Sequence, residues 1–215
     1  MFNDRKDAGI QLASMLKEYK DRKEVLVLAL PRGGVATGYE IARYLNVPLD
    51  IIIVKKIGFP GQPEFGIGAV SETGTVVLNE LTISTYGVIK DYIEHEIFRQ
   101  KEEISRRIKL YRKGKRFPDL QGKIVILVDD GVATGATMKA AIVTLKKEKL
   151  NKLIVALPVC HPDVADEIEQ MVDEFICIET PLDFMAVGAY YHDFTQVSDA
   201  EVIELLQRSA GSPSV

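Results

Sequence analysis

The sequence lacks several features that would place a protein in a specialised class. It has no tryptophan, three histidines and only two cysteines, Cys160 and Cys177, among 215 residues. Two cysteines are too few for a disulfide framework or a cysteine-rich zinc site. The longest apolar runs, residues 25–30 and 124–128, are far shorter than the about 20 residues that cross a membrane, and the first residues lack the apolar stretch of a signal peptide. The sequence therefore predicts a cytoplasmic protein with no membrane partner.

An excess of one charge is also missing. Lys and Arg number 27 and Asp and Glu number 31, which gives a formal net charge of −4. A slightly acidic chain is not a typical nucleic-acid binder. One stretch, residues 106–116, carries seven positive charges. We interpret it as the solvated end of a helix, where cations complement the helix dipole, with RNA binding as the alternative.

Short apolar segments alternate with amphipathic ones along the chain. Because buried strands that alternate with helices form parallel sheets, we predict an α/β fold: an open, mostly parallel twisted sheet with helices on both faces. Ligands bind such sheets beyond the carboxyl ends of the strands. The predicted strands are 25–30, 49–54, 76–78, 123–128, 153–158 and 174–178, and the predicted helices are 5–21, 35–45, 89–112, 135–147, 162–171 and 199–207.

The pentapeptide Gly-Val-Ala-Thr-Gly occurs twice, at residues 34–38 and 131–135. Each copy follows an apolar strand, and we expect each to open a helix. The unpaired N–H groups at such a turn bind anions, and glycine lets a phosphate approach the backbone. Thr134 and Thr137 would add hydroxyl donors at the second copy, and Thr37 at the first. The repeat predicts two phosphate sites, with tight packing of a glycine-rich turn as the alternative.

The residues beside the two copies carry opposite charges. Asp129 and Asp130 precede the second copy and suit sugar hydroxyls or a hydrated Mg²⁺, unless they are solvated loop acids. Arg32 precedes the first copy and offers a fixed cation. Lys55 and Lys56 end the next strand and are expected to point into the same crevice, unless they are solvated. A sugar phosphorylated at both ends would fit these charges.

These residues resemble a known family. Residues 125–137, an apolar strand followed by Asp-Asp-Gly-Val-Ala-Thr-Gly-Ala-Thr, are similar to the phosphoribosyl-pyrophosphate signature of type I phosphoribosyltransferases. Residues 30–34 resemble the family's pyrophosphate loop, and the whole chain looks like a poorly characterised bacterial branch of it. Residues 184–188 and 190–194 resemble, more weakly, the base-binding hood of the purine enzymes.

The resemblance implies a single domain with a defined reaction. The core would span about residues 25–178, the hood about 1–22 and 179–208, and a frayed tail 209–215. The expected enzyme transfers a phosphoribosyl group between phosphoribosyl pyrophosphate and a nitrogenous base, with a purine favoured, releases pyrophosphate, uses Mg²⁺ and forms a homodimer. The alternative is a regulatory protein that binds phosphoribosyl pyrophosphate without turnover.

The resemblance also implies a role for each residue of the motifs. The 5′-phosphate would lie in the second copy, the ribose on the acid pair, and the pyrophosphate beside Arg32. Asp129, Asp130 and Asp193 would contact the metal indirectly or through the substrate. The expected substrate-binding residues are Arg32, Gly33, Gly34, Lys55, Lys56, Asp129, Asp130, Gly131, Val132, Ala133, Thr134, Gly135, Ala136, Thr137 and Phe184.

Residues 57–75 contain five glycines and two prolines and show no periodicity. We interpret them as a lid that excludes water from the reaction, with a surface loop of no function as the alternative. Many 6-oxopurine enzymes have an acid where this chain has Ala133, so a proton acceptor must lie elsewhere. Glu64, flanked by Gly61 and Gly66 as hinges, is our preferred base, ahead of Glu72 and Asp193, with unaided ionisation of the substrate base or a solvated Glu64 as the alternative. The expected catalytic residues are Glu64, Arg32 and Lys56.

Overall fold

The computed structural model describes residues 1–210, apart from the side chain of Glu64. The helices are α1 (Arg5–Met15), α2 (Gly33–Leu45), α3 (Glu80–Tyr86), α4 (Lys90–Arg112), α5 (Ala136–Leu145), α6 (Pro162–Glu169) and α7 (Asp199–Ala210). The strands are β1 (Val25–Ala29), β2 (Leu49–Ile51), β3 (Val54–Phe59), β4 (Gln62–Ser71), β5 (Val76–Leu78), β6 (Ile124–Val128), β7 (Lys152–Val159) and β8 (Glu174–Glu179).

The chain divides into two compact units. The first comprises Met1–Ile51, Phe117–Gly135 and the described part of Glu148–Val215, and the second comprises Ile52–Arg116 and Ala136–Lys147. The single core with a terminal hood stays a prediction. Of the expected frayed tail, residues 209 and 210 continue α7, and residues 211–215 lie outside the described part.

A five-stranded parallel sheet forms the centre of the first unit, in the order β2-β1-β6-β7-β8. Every residue of β1 and β6 is buried, as their continuous apolar sequences require. Helices α1 and α2 pack on the sheet through Leu12, Ile41 and Leu45, which join one apolar core with the strands. The predicted fold class, a mostly parallel sheet flanked by helices, is confirmed.

The terminal segments of the first unit pair with each other. The N–H of Phe2 donates to the Tyr190 carbonyl at 2.8 Å, and the N–H of His192 donates to the Phe2 carbonyl at 2.9 Å. The rings of Phe2 and Tyr191 pack together beside Val159, at the end of β7. The segments at 1–4 and 187–195 are therefore held next to the carboxyl edge of the sheet.

The second unit contains an antiparallel sheet, in the order β3-β4-β5, that packs against α4 and α5. The expectation of an aperiodic loop at 57–75 is wrong, because these residues form a β-hairpin that turns at Gly61. Its glycines reflect close strand packing: a Cβ on Gly68 would lie 2.5 Å from the Val77 carbonyl oxygen. The predicted strand at 49–54 is likewise two strands, β2 and β3, in different sheets.

Helix α3 is absent from the sequence prediction, and the boundaries of the six predicted helices differ from the observed ones by one to six residues. Asn79 caps α3 by accepting a hydrogen bond from the Thr82 N–H, and Gly87 ends it with a φ of 63°. Helix α1 ends at Met15, before the predicted residue 21, and α2 begins at Gly33, before the predicted residue 35. Because α2 begins at Gly33, the whole first copy of the pentapeptide is helical.

Candidate functional site

Two loops meet at the point of the parallel sheet where the strand order reverses. Strands β1 and β6 are neighbours, with Ala29 opposite Val128, and the chain continues from them toward opposite edges of the sheet. The N–H of Leu30 donates to the Val128 carbonyl at 2.9 Å. Beyond this bond lie Arg32 on one side and the pair Asp129–Asp130 on the other. Such a switch point is where open α/β sheets bind ligands.

The first turn of α2 lies directly against the acid pair. A Cβ on Gly33 would lie 1.8 Å from Asp130 Oδ2, and a Cβ on Gly34 would lie 2.9 Å from the Asp129 Cα. No residue larger than glycine fits at position 33 without displacing the Asp130 carboxylate. The positive end of the α2 dipole therefore faces two carboxylates, an arrangement that stabilises negative charge.

Arg5, which the sequence analysis did not select, binds the acid pair from α1. Its Nε donates to Asp130 Oδ2 at 2.6 Å and its Nη1 donates to the Thr195 carbonyl at 2.8 Å. The guanidinium carbon lies 3.9 Å from the centroid of the Phe194 ring. The ion pair is well shielded, since the two side chains are only 11% and 15% exposed. No local sequence signal marks Arg5, because its partner is 125 residues away.

The two acids occupy different electrostatic environments. Burial raises the pKa of Asp129 well above its usual value, and the neighbouring Asp130 charge raises it further, against the lowering effect of a hydrogen bond from the Asp130 N–H. Asp130 already has Arg5 as its cation. The Tyr191 hydroxyl donates to the Asp130 carbonyl oxygen at 2.5 Å, which ties the terminal segment to the acid pair. A carboxylate such as Asp129 is suited to accept hydrogen bonds from ligand hydroxyls.

The second copy of the pentapeptide is an anchored loop with an exposed apex. The Val132 N–H donates to the Val159 carbonyl, and the Val132 carbonyl accepts from the His161 N–H, both at 3.0 Å. Ala133 and Thr134 are exposed between these anchors and α5, which begins at Ala136. Gly135 has a φ of 72°, which favours glycine. This copy is an exposed turn that precedes a helix, and its role as a phosphate site stays a prediction.

The first copy does not have that geometry. Residues 34–38 form the first turns of α2, which begins at Gly33, so this copy opens a helix as predicted but contains no exposed turn, and its role as a second phosphate site stays a prediction. Thr37 is fully buried, and a Cβ on Gly38 would lie 3.1 Å from the Ala29 Cβ. Five identical residues adopt two conformations because the helix has already started before the first copy. Gly33 and Gly34 lie beside the acid pair, while Thr37 is excluded.

Arg32 is half-buried at the N-terminus of α2. Its Nη1 lies 3.8 Å from Asp199 Oδ1, at the start of α7. The peptide bond between Pro31 and Arg32 is cis. Arg32 is three residues beyond Ala29, the last residue of β1.

Aromatic residues of the C-terminal segment lie beside the second copy. Val187 is in contact distance of Gly131, where a Cβ would lie 2.5 Å from Val187 Cγ1. Phe184 stacks on Tyr190 at a centroid distance of 5.6 Å and meets His161 edge-on at the same distance. The His161 Nδ1 is buried and makes no hydrogen bond within the described part of the chain. Phe184 and His161 therefore form an aromatic patch next to the loop.

Asp193 lies in the same segment, but its carboxylate serves a local turn. Its Oδ1 accepts from the Thr195 N–H at 2.9 Å and from the Thr195 hydroxyl at 2.6 Å. These hydrogen bonds lower the pKa of Asp193. Residues 1–210 contain no group of three or more His, Cys, Asp or Glu residues placed to hold a metal ion.

The remaining predicted residues belong to the second unit. Lys55 and Lys56 are adjacent in β3, and a strand points successive side chains to opposite faces. The expectation that both reach one crevice is therefore wrong. Ala136 and Thr137 are the first residues of α5. Glu64 lies in β4, not in a loop, and its side chain is outside the described residues.

The basic stretch at 106–116 is not a continuous cationic surface. Arg112 is buried and forms an ion pair with Glu72, which is also buried. Arg106 and Arg107 both donate to Glu103, at 2.8 and 2.7 Å. The two carboxylates offset two of the seven positive charges that suggested RNA. Separately, none of the helices within residues 1–210 has the length and apolar character needed to span a membrane.

Comparison with known proteins identifies the family. A phosphoribosyl transferase domain matches residues 2–195 of this chain. The chain belongs to the phosphoribosyl transferase family. This confirms the resemblance inferred from residues 125–137 and 30–34, and it explains why an acid pair, a glycine-rich turn and an arginine converge at the switch point.

The relatives and structural neighbours agree with this assignment. Two Mycobacterium tuberculosis proteins, from strains CDC 1551 and H37Rv, carry the name "Putative phosphoribosyl transferase" and are each 41% identical over 211 residues. The matched region is 97% of this chain but 47% of theirs, so the chain spans about half the length of these curated relatives.

The structural neighbours share the architecture. The crystal structure of TT1426 from Thermus thermophilus has 40% identity and a TM-score of 0.83, and the match covers 98% of this chain and 99% of that one. A hypoxanthine phosphoribosyltransferase from Staphylococcus aureus shares the fold at 14% identity, with a TM-score of 0.50 and a coverage of 84% of this chain and 74% of the other.

Proposed function

We propose that this protein transfers a phosphoribosyl group between phosphoribosyl pyrophosphate and a nitrogenous base, preferably a purine, and releases pyrophosphate. The observation that carries the proposal is the close approach of the first turn of α2, which follows Arg32, to Asp129 and Asp130 at the switch point. It brings together a cation, unpaired backbone N–H groups and a hydroxyl acceptor. These are the groups that a phosphorylated sugar with an anionic leaving group requires.

Each group of the first unit has a part in this proposal. Asp129 accepts hydrogen bonds from the ribose hydroxyls, while Asp130, held by Arg5, shapes the pocket beside it. The exposed apex at Ala133 and Thr134, with the backbone of residues 131–135, receives the 5′-phosphate. Arg32 and the N–H groups of Gly33 and Gly34 receive the pyrophosphate. The parts of Ala136, Thr137, Lys56 and Glu64 stay predictions from the sequence.

The donor set fits a magnesium ion only when the substrate supplies most of the ligands. Asp129 and Asp130 are two adjacent carboxylates, and Asp130 is already paired with Arg5. Mg²⁺ typically binds through one or two carboxylates together with substrate phosphates and waters. When bound, the ion would neutralise charge on the leaving pyrophosphate.

The preference for a purine rests on the C-terminal segment. An aromatic patch is formed by the rings of Phe184, Tyr190 and His161. Phe184 and Tyr190 lie in the same segment as Val187, which approaches Gly131 at the start of the second pentapeptide copy. A planar ring can pack on such a patch.

The direct test combines calorimetry with an assay. Purified protein is incubated with phosphoribosyl pyrophosphate, Mg²⁺ and a panel of purine and pyrimidine bases, and pyrophosphate release is measured. The variant Asp129→Asn/Asp130→Asn should bind phosphoribosyl pyrophosphate at least about a hundredfold more weakly, because charge-assisted hydrogen bonds are lost. The matched control Asp166→Asn/Glu169→Gln removes two exposed charges from α6 and should bind normally.

The outcomes separate the alternatives. Wild-type affinity in the folded Asp129→Asn/Asp130→Asn variant would show that these acids do not contact the substrate. Tight binding without pyrophosphate release for any base would instead support the regulatory protein without turnover. Light scattering on the same preparation tests the expected homodimer.

A second pair of variants separates the two ends of the substrate. Arg32→Gln should weaken pyrophosphate binding about tenfold and leave ribose 5-phosphate unchanged, whereas Thr134→Ala should weaken ribose 5-phosphate several-fold. Gly33→Val is unsuitable for this purpose, because its side chain would collide with the Asp130 carboxylate. Equal loss of both ligands in both variants would contradict the two-ended site.

A further inference from the structure

Lys55 and Lys56 face different helices of the second unit. Ile57, two residues after Lys55 and on the same face of β3, packs in one buried cluster with Ile93 of α4. On the other face, a Cβ on Gly66 would lie 3.1 Å from the Lys56 Cδ and 3.6 Å from the Ala136 Cβ of α5. Lys55 therefore points toward α4 and Lys56 toward α5.

Lys55 lies in a cleft between β3 and α4. The cleft has a volume of about 630 Å³ and is lined by Lys55, Arg99, Gln100, Glu102, Glu103 and Arg106. Its size is within the range of small-molecule sites, about 300–1,000 Å³. All of these residues belong to the second unit.

The positive charge of Lys55 is not compensated within the cleft. Arg99 pairs with Glu96 at 2.5 Å, and Glu103 pairs with Arg106 and Arg107. Lys55, which is half-buried, forms no hydrogen bond or ion pair with any side chain that the structure describes. Burial lowers the pKa of Lys55, and the nearby Arg107, Arg106 and Arg99 lower it further, against the opposing effect of Glu103. A bound anion would therefore stabilise the protonated form of Lys55.

We propose that this cleft is a second ligand site, separate from the acid pair, that binds a small phosphate-bearing anion. Lys55 is its central cation, and Arg99 and Arg106 supply donors at its edges. Ammonium and guanidinium groups bind phosphate oxygens through charge-assisted hydrogen bonds. The acids Glu102 and Glu103 interrupt the positive surface, which disfavours a long nucleic-acid strand and favours a compact anion.

The test follows Lys55 directly. Protein labelled with ¹³C at the lysine Cε is titrated with inorganic pyrophosphate, and the Lys55 NMR signal is assigned by its absence from Lys55→Gln. The signal should move saturably, and the pKa of Lys55 should rise when the anion binds. Arg106→Gln should weaken this response about tenfold. The matched control Lys101→Gln, which removes an exposed charge from the opposite side of α4, should leave the response unchanged.

Three results would overturn the proposal. A Lys55 signal that stays fixed throughout the titration would show that the cleft binds no phosphate. A larger and tighter response to an oligoribonucleotide than to pyrophosphate would assign the surface to RNA. Loss of the Lys55 response in Arg32→Gln would assign Lys55 to the phosphoribosyl site. The proposed function is tested separately by pyrophosphate release and would survive either of the first two results.

Discussion

Arg5 and Asp130 are 125 positions apart in the chain, yet the Arg5 Nε donates to Asp130 Oδ2 at 2.6 Å. The same guanidinium contacts the Thr195 carbonyl and the Phe194 ring. Arg5 therefore connects α1, the end of β6 and the C-terminal segment through one planar group. In this arrangement Arg5 acts as a positioning residue for the acid pair.

Replacing Arg5 with methionine should loosen this connection while keeping the aliphatic packing. We expect Arg5→Met to weaken phosphoribosyl pyrophosphate binding about tenfold and to lower the free energy of unfolding by about 1–3 kcal/mol, because the shielded Asp130 carboxylate loses the Arg5 donor. Calorimetry and urea denaturation measure the two effects. The control Arg22→Met removes one partner of an exposed pair and should cost less than about 1 kcal/mol. Unchanged affinity and stability in Arg5→Met would show that Arg5 does not position Asp130.

Glu64 is the predicted proton acceptor in the second unit. Glu64→Gln should leave substrate affinity nearly intact and lower turnover about a hundredfold or more, which is the usual scale of general acid–base catalysis. Steady-state kinetics with an active base decides the question, with Glu80→Gln, at the exposed start of α3, as the control. Equal turnover in Glu64→Gln and wild type would remove Glu64 from the mechanism.

Glu72 and Arg112 form a buried ion pair whose side chains are 3% and 4% exposed. Glu72 also accepts the Ile53 N–H at 2.8 Å. Glu72→Gln should therefore cost about 3–5 kcal/mol of unfolding free energy, because the buried Arg112 guanidinium loses the opposite charge of Glu72. The double variant Glu72→Met/Arg112→Met should be more stable than Glu72→Gln.

Urea denaturation followed by circular dichroism checks this prediction. Glu94→Gln breaks the exposed pair with Lys90 and should cost less than about 0.5 kcal/mol. A Glu72→Gln variant no less stable than Glu94→Gln would contradict the buried-pair argument.

The contribution of Glu103 to the free energy of unfolding should decrease at acid pH. Hydrogen bonds from Arg106 and Arg107 lower the pKa of Glu103 from 4.5 to about 2. A depressed pKa means that the contribution is complete above pH 4.5 and is lost as the pH falls toward 2. Because the pair is partly exposed, the contribution should not exceed about 1 kcal/mol.

The comparison is the unfolding free energy of wild type and Glu103→Gln at pH 7, 4 and 3. The difference should shrink as the pH falls. A difference that is constant with pH would show that the arginines do not stabilise the Glu103 charge. The same variant should strengthen pyrophosphate binding in the Lys55 cleft, since it removes a neighbouring negative charge.

The sequence was sufficient to predict the parallel sheet and the position of Asp129 and Asp130 at the carboxyl end of β6. Strands β1 and β6 are uninterrupted apolar runs, and the polar residues that follow them must lie at the carboxyl edge. The hairpin of β3 and β4 was hidden because glycines at 58, 66 and 68 remove the apolar alternation that marks a strand. Gly58 and Gly68 are required by strand packing, because a Cβ at either position would collide with the backbone of the adjacent strand, which no local pattern shows.

Other parts of the site depend on partners far away in the sequence. Arg5 has a role only because α1 brings it to Asp130, and the first pentapeptide copy is helical only because α2 starts at Gly33. The predicted strand ended at residue 54, so it did not include Lys55 and Lys56. A strand over residues 54–59 would have predicted their opposite orientation, because side chains alternate along a strand. These features are tertiary, and a single sequence carries little information about them.

The alternation along β3 also constrains how this segment can change in length. Lys55 and Ile57 face α4, while Lys56 faces α5. Deleting one residue ahead of Lys55 would exchange the two faces, so that the side of β3 now packed against Ile93 would carry Gly58 in place of Ile57. Deleting two residues would keep each side chain on its present face. Insertions and deletions before this strand are therefore compatible with both helices only in even numbers.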